Sequence, residues 1–210
     1  MRATHAVRGT LVLLAALCAV LITSLATAGA KPRRIVFGST LTATPKVMPH
    51  AAYRSDAEFW NTSLGSARLP SVRSTVGAPR NGLITAIRLK TGNDSRSVKI
   101  RISVIRRAGG GYRVVTTSTP HWNLPAHSPG VHTFSTRGLQ FRMPLQKGDL
   151  VALDTPGVKP RASVWFGAVP GATVQSYAAH GATQNEGAHW RGTAHGGFEL
   201  LLQVVEQPGR

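Results

Sequence analysis

The stretch Ser97–Ser118, "SVKIRISVIRRAGGGYRVVTTS", decides the fold class. Val98, Ile100, Ile102 and Val104 alternate with Lys99, Arg101 and Ser103. Successive side chains of an extended strand point to opposite faces, so this alternation makes one face apolar and the other polar. A half-buried antiparallel strand has that character. The run stops at "RRAGGGYR" and resumes as "YRVVTTS", which reads as a hairpin closed by a glycine-rich turn.

The same period extends outward. "GLITAIRLK", from Gly82, is expected to turn Leu83, Thr85, Ile87 and Leu89 to one face, and the turn-rich "TGNDSR" separates it from the hairpin. Downstream come "GVHTFST", "LQFRM", "LVALD", "ASVWFGAV", "ATVQSYA" and "FELLLQVVE", the last apolar enough to be central and buried on both faces. Turn clusters part them at intervals of about 8–12 residues, the rhythm of a sandwich or barrel. A sustained 3.6-residue apolar period is absent. These features predict an all-β fold: an antiparallel β-sandwich of jelly-roll type, one domain after a signal peptide.

Upstream, Arg2 and Arg8 precede the apolar run Leu11–Leu25, and "ATAGA" offers two small-residue cleavage sites ending at Ala28 and Ala30. Residues 1–30 are therefore expected to be a secretory signal peptide, with a membrane anchor as the alternative, and the chain to be secreted or at the cell surface. After cleavage no transmembrane segment is expected. Residues 31–76 read as an extended, mostly polar segment with one edge strand near Ile35–Phe37, anchored by Phe59 and Trp60. Residues 77–207 read as the sandwich. The only cysteine, Cys18, lies in the apolar run, so residues 31–210 hold no disulfide, cysteine-based zinc site or cysteine nucleophile.

"APRNGLITAIRLKTG", "VKIRISVIRRAGGGYRVVTTS", "GVHTFSTRGLQFRMPLQKGDLVALD" and the closing "FELLLQVVEQP" form a pattern over about residues 77–207. It resembles a set of secreted β-sandwich proteins of GC-rich Gram-positive bacteria. In these an opening strand and an Arg- and Val-rich strand lead to a G-D-x-x-x-L turn and strand. The resemblance implies the fold and export, and it carries over no catalytic residue.

The chain has 25 Lys and Arg against 8 Asp and Glu, a formal net charge of +17. Such a surplus attracts polyanions. The arginines are scattered, the densest cluster being Arg106–Arg113, so no specific nucleic-acid site is expected; an anionic cell-wall polymer or polysaccharide is the expected partner. Enzyme signatures are missing: there is no G-x-S-x-G elbow, H-E-x-x-H or phosphate loop, and no catalytic residue or cofactor is assigned. In "MPLQKGDLVALDTPG", Met143–Gly157, Gly148 and Asp149 read as a hairpin turn in which Asp149 binds backbone amides, with Asp154 opening the next turn.

Two loops carry a tryptophan beside a histidine: His121, Trp122 and Asn123 in one, His189, Trp190 and Arg191 in the other. An exposed indole with nearby polar donors stacks on a sugar ring, so these six residues are the expected ligand contacts. The competing expectation is that each tryptophan plugs an end of the sandwich. The histidine groups around residues 121–132 and 180–195 are spaced irregularly for a metal, and no metal site is assigned. The resulting expectation is an exported, non-enzymatic binding or surface-interaction module for polysaccharide. The alternatives are a structural extracellular domain with no small ligand and a polysaccharide hydrolase of unrecognised site.

Overall fold

The computed structural model describes residues 34–48, 57–65, 75–94, 96–118, 121–136, 142–156, 165–178 and 185–209. The expected signal peptide, "LQFRM" up to Phe141, His180 and the residues just after Pro156 lie outside them. In chain order the strands are β1 (Ile35–Gly38), β2 (Pro45–Lys46), β3 (Ala57–Ser63), β4 (Gly82–Thr91), β5 (Val98–Ala108), β6 (Gly111–Thr117) and β7 (Trp122–Leu124). They continue as β8 (Gly130–Ser135), β9 (Pro144–Leu145), β10 (Leu150–Asp154), β11 (Phe166–Ala178), β12 (His189–Trp190), β13 (Thr193–Leu200) and β14 (Leu202–Pro208). Among the described residues there is no helix.

Every pairing is antiparallel. The smaller sheet runs β1-β14-β4-β8, with β9 also on β4. The larger runs β12-β6-β5-β10-β3-β11-β13, with β7 also on β5 and β2 on β11. One apolar core joins them: Phe37, Ile87, Leu89 and Val204 of the smaller sheet meet Phe59, Ile100, Ile102, Val104, Leu153 and Phe166 of the larger. The molecule is thus an all-β sandwich, as the two-residue period requires. This strand order does not establish the finer jelly-roll connectivity.

The hairpin that decided the class is built as read. Ala108 pairs with Gly111, and the two residues between them, Gly109 and Gly110, both have positive φ (54° and 76°). A two-residue turn of that hand matches the twist of the flanking strands, and glycine adopts it without a Cβ penalty. The closing segment also behaves as expected over Leu202–Glu206, buried throughout between β1 and β4.

Two expectations change. In β4 a bulge opposite Val205 and Glu206 inserts one residue, so Ile84 joins Ile87 and Leu89 in the core and Leu83 does not. A bulge reverses which side chains point inward on its far side. Residues 31–76, expected to hold a single edge strand, supply three strands. Among them β3 is interior, flanked by β10 and β11. Its sequence, "AEFWNTS", hides this because both faces are buried, one by Phe59 and the other by Trp60.

That second face is a separate core. Ile105, Leu150, Ala152 and Trp60 face away from the smaller sheet and pack with Tyr112, Val114 and Trp190. Backbone bonds lay residues 187–190 along β6: Gly187 donates to Val114 O and Val114 donates to Ala188 O, both at 2.9 Å. The register continues as His189 opposite Arg113 and Trp190 opposite Tyr112. At Gly192 the chain passes so close to Trp60 that a Cβ would sit 2.8 Å from its ring, which only glycine permits.

Candidate functional site

The outer face of the larger sheet divides into this aromatic cluster and a charged row beside it. Arg101 pairs with Asp154 across β5 and β10, Asp154 with Glu58 across β10 and β3, and Glu58 with Tyr177 across β3 and β11. Arg101 Nε donates to Asp154 Oδ2. Glu58 and Asp154 have no exposed surface, so neither carboxylate faces a polymer in solution. Asp154 is therefore a buried ion-pair partner, beyond the turn opener that its neighbours Thr155 and Pro156 suggested. No local spacing foretold its place beside Glu58, because cross-strand neighbours are set by pairing alone.

The six expected ligand contacts fall into two places. Trp122 lies opposite Ile100, half-buried, with its ring 5.9 Å from Phe134, whose ring is in turn 6.3 Å from His132. This row closes the seam between the edge strands of the two sheets. His121 and Asn123 beside it are exposed. The His121 imidazole is held below its ordinary pKa by burial, then by the Arg101 and Lys99 cations. Trp190 is fully buried, 5.8 Å from Trp60 and stacked on Tyr177 at 5.6 Å and 14°. Its face is not open to a sugar, which corrects the expectation of an exposed platform there. His189 and Arg191 flank it on the surface. Because β7 pairs with residues 98–100 of β5 while Tyr112 and Arg113 pair with 107 and 106, the two sets stand about 20 Å apart at 3.3 Å per residue. The two tryptophans do not share a surface.

The remaining described histidines are engaged one at a time. His127 Nδ1 lies 3.1 Å from Asn93 Oδ1, His132 Nε2 donates to Ser128 O at 2.7 Å, and His195 Nε2 lies 2.9 Å from Ser176 Oγ. Burial lowers the His195 pKa. Among the described residues no three His, Cys, Asp or Glu side chains converge as a metal site would need.

A cationic surface also lies elsewhere, where the β5–β6 hairpin meets the β9–β10 turn. Asp149, 1 % exposed, takes two bonds from Arg106 at 2.7 and 2.9 Å and a third from the Gln146 amide at 2.7 Å. The turn reading of Gly148–Asp149 holds, with Gly148 at φ 90°. The hydrogen bond to Asp149 raises the Arg106 pKa, and burial offsets only part of that rise. Arg107 points the other way, exposed, with its guanidinium 5.9 Å above the Tyr112 ring and no carboxylate partner among the described residues. Beside it opens a groove of ≈ 570 Å³, reaching to Lys147 and floored by Val76 and Leu150. A second, of ≈ 470 Å³, runs from Arg107 past the glycine turn to Gln175. Sequence reasoning noted the cluster Arg106–Arg113 but had no signal for which arginine is neutralised. The chain matches no known family model and no curated protein.

Proposed function

We propose that the protein is an exported, non-enzymatic binding module whose ligand is an anionic polysaccharide of the cell envelope or its surroundings. One observation carries this reading. Among the described residues the ion pairs are made by Arg80, Arg101 and Arg106, while Lys99, Arg107, Arg113, Lys147 and Arg191 are exposed and in none. Unneutralised surface cations raise the local concentration of polyanions and speed encounter with them. Export rests on the N-terminal pattern of basic, apolar and small residues. No helix among the described residues is long and apolar enough to cross a membrane.

The test is retention of the purified protein on cell-wall and polysaccharide preparations over a salt series. Retention on acidic polymers is expected to fall as salt rises, because exposed charges are screened. Absence of retention on every preparation overturns the module reading and favours a structural domain. Release of sugar products from the same polymers would favour a hydrolase instead.

A further inference from the structure

We infer that the two grooves meeting at Arg107 form one binding trough for a sugar-acid polymer, a glycan with a carboxylate on its repeating unit. This rests on the binding-module reading and adds the place and the chemistry of the contact. Arg106 and Arg107 are adjacent in sequence, yet Arg106 is consumed by Asp149 while Arg107 lines both grooves. The Arg107 guanidinium is exposed and lies over the Tyr112 ring, within the range of a cation–π contact. A planar fork of that kind matches a carboxylate with two parallel bonds.

The rest of the trough suits the body of a sugar. Val76 and Leu150 give the first groove an apolar floor for the C–H face of a pyranose ring, and Lys147 sets a second cation along its length. The Lys147 amide donates to Asn81 Oδ1 at 2.9 Å, which fixes the turn that presents this side chain. No large aromatic side chain among the described residues is exposed, so base stacking of the kind single-stranded nucleic acids use is not offered.

The experiment measures binding of the purified protein to polygalacturonate, neutral dextran and a nucleic-acid duplex at one fixed salt concentration. Arg107→Ala is expected to weaken polygalacturonate binding about tenfold, the loss of one charge-assisted pair. Lys147→Ala, on an exposed turn, should weaken it severalfold and serves as the second variant. Arg96→Ala removes the same charge at the opposite end of β5 and should change binding less than about twofold. Equal losses in Arg107→Ala and Arg96→Ala overturn the trough while leaving the module reading intact. Duplex binding that is tighter than polygalacturonate binding and lost in Arg107→Ala overturns the sugar-acid assignment. If the unaltered protein binds no polysaccharide at all, it is the module reading that falls.

Discussion

The two faces of the larger sheet are built by different rules. Its inner face is made of side chains at alternating positions, Val98, Ile100, Ile102, Val104, Val151 and Leu153, which meet the opposite sheet. Its outer face uses the intervening positions, yet much of it is also closed: Ser103, Ile105 and Ala152 have no exposed surface. There the cover is a short strap, residues 187–192, carrying Trp190 onto Trp60 and Tyr112. Alternation marks a face that another sheet covers. It does not reveal that the far face acquires a cover of its own, because that cover comes from a distant part of the chain.

Phe59 and Trp60 offer the sharpest way to break the contrast, since neighbours in β3 point to opposite faces. Phe59→Ala is expected to cost about 3–5 kcal/mol, and if the outer cluster is a true core Trp60→Ala costs the same order. Urea unfolding midpoints measure both. A Trp60→Ala loss below about 1 kcal/mol would reduce the outer cluster to a surface covering.

The paired arginines sharpen the comparison on a smaller scale. Asp149→Ala removes a buried acceptor that three donors share, and a loss of about 2–3 kcal/mol is expected. Arg107→Ala removes an exposed side chain with no carboxylate partner among the described residues, and stability should stay within about 0.5 kcal/mol. Chemical denaturation of the two variants side by side checks the difference, and it also separates folding from binding at the trough.

Smaller effects are expected on titration. Burial lowers the His195 pKa below its ordinary 6.5, so the neutral imidazole is the form that the fold favours. Its contribution is full above the unfolded value and is lost as pH falls through the lower folded one. Thermal unfolding followed from pH 7.5 to pH 5 should therefore show a shallower decline in His195→Gln. Glu206 has the opposite sign. Burial raises its carboxyl pKa, and the hydrogen bond and charge of Arg80 oppose the rise only in part. Its protonated form favours folding below the ordinary 4.5, and that contribution is lost as pH rises through the folded value. Glu206→Gln should flatten the stability curve above pH 4.5, by the smallest margin of the set.

How much was legible depends on how local each signal is. The β5–β6 hairpin and the Gly148–Asp149 turn were readable because their chemistry lies within a few residues. The interior place of β3 was not, because "AEFWNTS" has no polar face when both sides are buried. Trp122 and Trp190 looked alike in sequence, each beside a histidine. One half-closes a seam and the other is sealed in a core. The trough at Arg107 drew on the one visible arginine cluster, but which member stays free depends on Asp149, more than forty residues along the chain.

By itself the sequence determined the strand period, the hairpin with its glycine turn, the cysteine-free composition beyond residue 30 and the surplus of positive charge. Each follows from a side chain's own chemistry or from its nearest neighbours. Only the tertiary structure decided that Glu58 lies beside Asp154, that Trp190 is closed against Trp60, and that Arg106 is neutralised while Arg107 is left outward. Those are matters of strand pairing and register. A register is chosen by the burial of whole faces at once, so no single stretch of the chain encodes it.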